Sequence, residues 1–229
     1  MRNIFGLVRH TAGHRCYSGF IIDGFLQCHS DTCVFTLKRT MKTPSEPREE
    51  TLHLSCYVDD LAILYEFDDE HSLYRDFVDK RTTRWRVEDE GDLTDLLGVE
   101  FHRDDQSICL RQKAYIEKLA GEFFPNGVPS KMQSNRTPCD HELPLHVATA
   151  LSSADVAEPL LQKRYQSLCG ALLYASTNTR PDIAFATGFL CRAMSKPSED
   201  LYDDALRVLG YLYTELVISA FVTIHPTLP

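Results

Sequence analysis

The residues that point most directly at chemistry are the neighbouring acids Asp59 and Asp60. Two adjacent carboxylates repel each other, and a divalent cation shared between them relieves that repulsion. The pair stands between two apolar runs. Leu52, Leu54 and Cys56 alternate with Thr51, His53 and Ser55 on one side, and Leu61-Ala62-Ile63-Leu64-Tyr65 is continuously apolar on the other. That pattern predicts a β-hairpin with the acids at its turn. Acids projected from such a turn can hold metal ions for phosphoryl transfer. The same residues also carry a plain structural reading, because Asp is a good turn former.

Two further groups could do chemistry. His10, His14, Cys16, Cys28, His29 and Cys33 include a His-x3-His spacing in the style of zinc ligands. The Cys28 to Cys33 interval is loose for a knuckle, and Cys33 runs into β-favouring residues. Trp85, flanked by Arg81, Arg84 and Arg86, could stack a base, although a solvated helix end is the commoner meaning of such a run.

The elements that must position these residues follow from periodicity. Tyr17, Phe20, Ile21 and Phe25 predict a helix over 14–27, and Cys33 to Leu37 a strand. Pro44 and Pro47 mark a polar loop before the hairpin. Leu73, Phe77 and Val78 predict a helix from Asp69 to Thr83. Leu96–Phe101 and Ile108–Leu110 predict a second hairpin around Asp104-Asp105. Tyr115, Ile116, Leu119 and Phe123 mark a helix over 112–124 that Pro125, Gly127 and Pro129 stop. A stretch rich in Pro, Ser and Thr then reads as a long connection. Three helices are expected after it, around Leu168 and Leu172, from Pro181, and around Leu201 to Leu212. The order predicts an α+β chain with a helical tail.

Composition bounds the function classes. With 43% hydrophobic and 25% charged residues the 229-residue chain has ordinary globular composition, which excludes general disorder. No apolar run reaches the roughly 18 residues of a membrane span, and no signal core follows Met1, so a protein that is not secreted is expected. Eight irregularly spaced cysteines in a chain this long predict reduced thiols in a cytoplasmic or nuclear setting. The net charge of −9 is unevenly spread: residues 49–105 hold eighteen acids against six bases. A nucleic-acid binder usually shows a basic face, and this middle segment would repel phosphate unless metal ions held part of its charge.

Tyr57-Val58-Asp59-Asp60 followed by an apolar strand resembles the active-site hairpin of reverse transcriptases, specifically those of Ty1/copia retrotransposon polyproteins. Other segments agree in order. Phe5-Gly6-Leu7, Gly13 to Tyr17 and Ser30 to Phe35 resemble segments preceding the hairpin. Leu96-Leu97-Gly98-Val99-Glu100-Phe101 is similar to the strand that supports the primer end, and Tyr115 to Leu119 to the helix beyond it. The most specific stretch is Tyr165 to Tyr174 leading into Thr179-Arg180-Pro181-Asp182-Ile183-Ala184-Phe185-Ala186, closed by Leu209-Gly210-Tyr211-Leu212.

The resemblance implies an incomplete reverse-transcriptase palm over 1–130, a linker over 131–160, a helical thumb and connection region over 161–215 and a tail over 216–229. It implies Asp59 and Asp60 as catalytic acids and Mg²⁺ ligands, with nucleic-acid or nucleotide contacts from Tyr57, Val58, Gly6, Leu97 and Gly98. Primer-template and dNTP are the implied partners, with the rest of a Gag-Pol-type polyprotein and no membrane. Two-metal nucleotidyl transfer needs a third carboxylate, which the family carries on an upstream strand. Asp23 and Asp31 are the only acids before the Thr40–Glu50 loop, and neither has that context. An inactive RNA-directed DNA polymerase fragment is therefore expected, or a remnant that binds nucleic acid or protein without chemistry. The ribonuclease H domain is expected to be absent, since Ala220 to Pro229 carries no carboxylate. A hairpin lacking its neighbouring strand would expose an edge and aggregate.

Overall fold

The computed structural model describes residues 4–10, 23–44, 46–58, 60–85, 87–104, 107–154, 157–216 and 220–223. The chain divides between Leu96 and Leu97 into two compact units, well before the boundary expected near residue 130.

The first unit is built on a sheet of β1 (Ile4–His10), β2 (Leu26–Gln27), β3 (Val34–Met41), β4 (Arg48–Tyr57), β5 (Asp60–Tyr65) and β6 (Val87–Asp92), ordered β2-β3-β4-β5-β1-β6. Its paired strands are antiparallel. Alternation in sequence becomes alternation in burial: Leu52, Leu54, Cys56, Leu61 and Ile63 are buried, while His53, Ser55 and Tyr57 are exposed. Onto the buried face packs α1 (Leu73–Trp85) through Leu73, Tyr74, Phe77 and Val78. Tyr74 stacks on Tyr65 with ring centroids 3.8 Å apart, and Phe77 meets Phe25 edge-on at 5.7 Å. Glu50, only 3% exposed, accepts the Leu73 N–H at 2.7 Å and pairs with Arg48, so this buried carboxylate is satisfied where it fastens the start of α1. A two-residue strand β7 (Asp95–Leu96) ends the unit.

The second unit holds the antiparallel hairpin β8 (Val99–Arg103) and β9 (Ser107–Arg111). Asp104 fixes its turn by accepting from the Ser107 N–H and hydroxyl. Helices α2 (Lys113–Phe123), α3 (Ser130–Gln133), α4 (Leu143–Ser152), α5 (Pro159–Asn178), α6 (Ala184–Arg192) and α7 (Glu199–Thr214) follow. A 3-10 turn over Pro181–Ile183 precedes α6, and strand β10 (Ala220–Thr223) pairs with the free edge of β9. Leu119, Leu143, Leu168, Leu190, Leu209 and Leu212 lie in one continuous core. Glu158 caps α5 and Ser198 caps α7 through backbone N–H groups three residues on. Among the described residues no helix is long and apolar enough to cross a membrane.

Several expectations need correction. Of the helix expected over 14–27, residues 14–22 lie outside the described residues. Gly24 has φ 91°, and Leu26–Gln27 is a strand paired with Phe35 and Thr36. The α1 helix begins at Leu73 and not at Asp69, because the Asp69 carboxylate instead accepts the His71 N–H in the lead-in turn. The expected linker carries α4, whose Leu143, Val147 and Ala150 enter the core at helical spacing. The expected tail contributes β10. The edge of β5 that was expected to stand open is covered by β1, and β6 pairs with the far side of β1.

Candidate active-site hairpin

β4 and β5 are joined through Val58 and Asp59, with Tyr57 and Asp60 as register partners. A two-residue connection matches the twist of its strands when its leading residue has positive φ, and Val58 sits at φ 51°. A β-branched residue in that region costs about 1–3 kcal/mol, a strain that concentrates at functional sites. Val58 gains no burial in return, being 66% exposed. Asp59, the first expected catalytic acid, lies outside the described residues. Asp60 is half-buried and shares the solvent-facing side of the sheet with the exposed Tyr57, Ser55 and His53. On the same side the Thr36 hydroxyl and His53 Nδ1 are 3.0 Å apart.

The next strand in the row is β1. Arg9 is the register partner of Asp60, and on its other side of Glu88 in β6. The register of β6 shifts between Leu7 and Val8, where Gly91 takes φ 79°. Gly6 partners Ile63, a core-face position, so it does not join Tyr57 and Asp60 on the solvent-facing side.

Leu97 and Gly98 belong to the second unit. Both have positive φ, 56° and 77°, and make a tight bend ahead of β8. The Leu97 carbonyl accepts the Tyr174 hydroxyl at 2.6 Å, and Tyr115 packs edge-on against Tyr174 at 5.3 Å. These residues anchor the bend to α5 and leave the Leu97 side chain 43% exposed.

The most specific sequence stretch resolves into a structural knot. Arg180, 1% exposed, makes a two-pronged pair with Asp182, and the Tyr211 hydroxyl donates to the same carboxylate at 3.0 Å. Burial opposes ionisation of Asp182, but the Arg180 guanidinium and the Tyr211 hydroxyl outweigh it and hold the carboxyl below its usual range. Gly210 lets α3 approach α7: a Cβ there would stand 2.8 Å from Met132 Cβ.

Among the described residues no three His, Cys, Asp or Glu side chains converge as a metal site. Asp59, the second acid of the expected pair, lies outside that set, so the fit of the hairpin to metal ions is carried by Asp60 alone among the described residues. Sequence reasoning did not reveal that β1 covers the far edge of β5 and β6 the far edge of β1, because nothing in local spacing shows which strand pairs with which.

No family model matches the chain, and no solved structure matches it. Over 164 residues it is 29% identical to a transposon Ty5-1 protein of Saccharomyces cerevisiae, covering 71% of this chain and 49% of that protein. Over 189 residues it is 29% identical to the retrovirus-related Pol polyprotein from transposon RE2 of Arabidopsis thaliana, covering 82% of this chain and 12% of the polyprotein. The corresponding polyprotein from transposon TNT 1-94 of Nicotiana tabacum is 27% identical over 191 residues, with 82% and 13% covered. The chain spans about half the length of the yeast relative and a small part of each polyprotein. These relatives are a transposon protein and two transposon Pol polyproteins, and what the chain resembles is one segment of each polyprotein.

Proposed function

We propose that this chain is a reverse-transcriptase-derived segment of a Ty1/copia-type Pol polyprotein, comprising part of the palm and the connection helices, and that it does not itself catalyse nucleotidyl transfer. The observation that carries this reading is the two-residue hairpin from Tyr57 to Asp60, with one face in the core and a polar face turned to solvent. The transposon relatives support the same origin. In such an enzyme Mg²⁺ would neutralise charge on the reacting triphosphate and 3′-hydroxyl. Asp59 and Asp60 would be its ligands from this hairpin, and among the described residues no three His, Cys, Asp or Glu side chains converge to complete such a site. What the chain retains is a surface: Tyr57, 55% exposed, offers an aromatic face on which a base can stack, with Lys38, Ser55 and His53 exposed on the same side of the sheet.

The test is a primer-extension assay on an RNA template beside a binding titration with the same labelled primer-template. Salt-sensitive binding without dNTP incorporation is expected, and Tyr57→Ala should weaken binding by about tenfold if one base stacks there. Incorporation that Asp60→Asn abolishes would overturn the inactive reading. No binding even at low salt would remove the nucleic-acid role.

A further inference from the structure

We infer that the outward face of α6 is a stacking platform for single-stranded nucleic acid, a second binding surface distinct from the hairpin. The buried side of α6 is formed by Ala186, Thr187 and Leu190. Its other side carries Phe185, Gly188, Phe189 and Arg192, whose spacing places them along one stripe of the helix. Phe185 is 62% exposed, so most of its ring is left in water. Phe189, packed in part against the core, steadies it, with the two ring centroids 4.8 Å apart. The Arg192 guanidinium sits over the Phe189 ring at 4.4 Å. Two rings and a cation are thus ordered before any ligand arrives, which lowers the entropy lost on binding.

Gly188 stands in the middle of the stripe. Glycine inside a helix costs about 1 kcal/mol relative to alanine. No atom lies within 4 Å of the place its Cβ would take, so packing within the protein does not require it. What it leaves is open surface beside Phe185, where a flat base can lie. The surrounding charge favours a polyanion. From Pro159 to Ser198 the chain holds five bases and one acid, although its net charge is −9. That acid is Asp182, paired with the buried Arg180, and Lys163, Arg164, Arg192 and Lys196 are exposed. Gln162 and Gln166 donate to the Ser195 and Met194 carbonyls just beyond α6, which brings the Lys163 turn of α5 towards the Arg192 end of the stripe. Rings that take bases and cations that take phosphates are how a single strand is held without reading its sequence. An acidic protein segment would answer the cations and leave the ring pair and the bare glycine unused.

The inference stands on this surface alone and does not rest on the polymerase-derived reading of the hairpin. The experiment is fluorescence anisotropy of the full chain with a labelled oligo(U) of about twelve nucleotides, within the usual site size of such surfaces, at several salt concentrations. Phe185→Ala should weaken binding by about tenfold, and Phe185→Trp, which keeps a ring, should retain it. Arg192→Gln should reduce the slope of log affinity against log salt by about 0.7, the contribution of one phosphate on a single strand. Gly188→Gln should weaken binding while raising the urea midpoint, a combination that damage to the fold does not produce. Leu145→Ala removes a similarly exposed apolar residue from α4 and should change nothing. Unchanged affinity in Phe185→Ala would overturn the inference, as would an equal loss in Leu145→Ala. Failure of the wild type to bind oligo(U) even at low salt would also overturn it and leave this face to a protein partner. A loss from Tyr57→Ala without one from Phe185→Ala would sink the platform and keep the hairpin surface, and the reverse pattern would keep the platform and remove the hairpin's role.

Discussion

Single residues in this protein are held in costly states that identify what they are for. Val58 is a β-branched residue at φ 51°, two-thirds exposed, in a position that Asn or Gly would occupy without strain. Replacing it with Asn should raise stability by about 1 kcal/mol, seen as a higher urea midpoint with unchanged slope. A lower midpoint would mean that Val58 is favoured by contacts and not merely tolerated. Arg180 is the opposite case, a fully buried cation whose charge is answered by Asp182. Asp182→Asn should cost about 3–5 kcal/mol, because it leaves that guanidinium unpaired inside the protein. Tyr211→Phe, which removes one hydrogen bond to the same carboxylate, should cost only about 1 kcal/mol. A small loss for Asp182→Asn would show that Arg180 finds another acceptor. The sequence made the Arg180-Pro181-Asp182 motif visible but not its purpose, since the tyrosine that completes it lies 29 positions away.

At the scale of elements, what periodicity could reveal was revealed and what depends on distant partners was not. The hairpin β4–β5, the helices α2, α5 and α7, and the β8–β9 hairpin all announce themselves through spacing of apolar residues. β6 does not: Val87-Glu88-Asp89-Glu90-Gly91-Asp92 has almost no β-favouring residue, and it becomes a strand because β1 offers its backbone a ladder. Helix α4 was legible in principle through Leu143, Val147 and Ala150, but the surrounding Pro, Ser and Thr masked it. A buried-side tie fastens it to α7, where His146 Nδ1 lies 2.7 Å from Asp204 Oδ2, with Arg207 and Asp140 paired in the same region. The hydrogen bond to Asp204 raises the pKa of His146 above its ordinary value, outweighing the effect of burial. A folded-state pKa above the unfolded one means that the tie contributes fully below about pH 6.5, the unfolded value. The contribution is lost as pH rises through the raised folded value. Wild type should therefore lose urea resistance relative to His146→Gln across the neutral range, and parallel profiles for the two would refute the assignment.

For the whole molecule, the consequence of two separate cores is that damage should stay local. One cluster, around Leu52, Ile63 and Phe77, belongs to the first unit, and another, around Leu168, Leu190 and Leu209, to the second. Ile63 and Leu168 are both fully buried, so truncating either to Ala should cost about 2–5 kcal/mol in the unit that contains it. Effects on sites that share no partners add, and each cost should therefore appear in its own part of the melt. Calorimetry of the full chain is expected to resolve two transitions, with Ile63→Ala lowering one by at least about 10 °C and Leu168→Ala lowering the other. A single transition moved equally by both substitutions would mean that the two cores unfold as one. The outcome also bears on the hairpin. If the first unit melts by itself, the strand order β4-β5-β1-β6 around the hairpin is a property of that unit's own sheet, since each of these strands lies before Leu97.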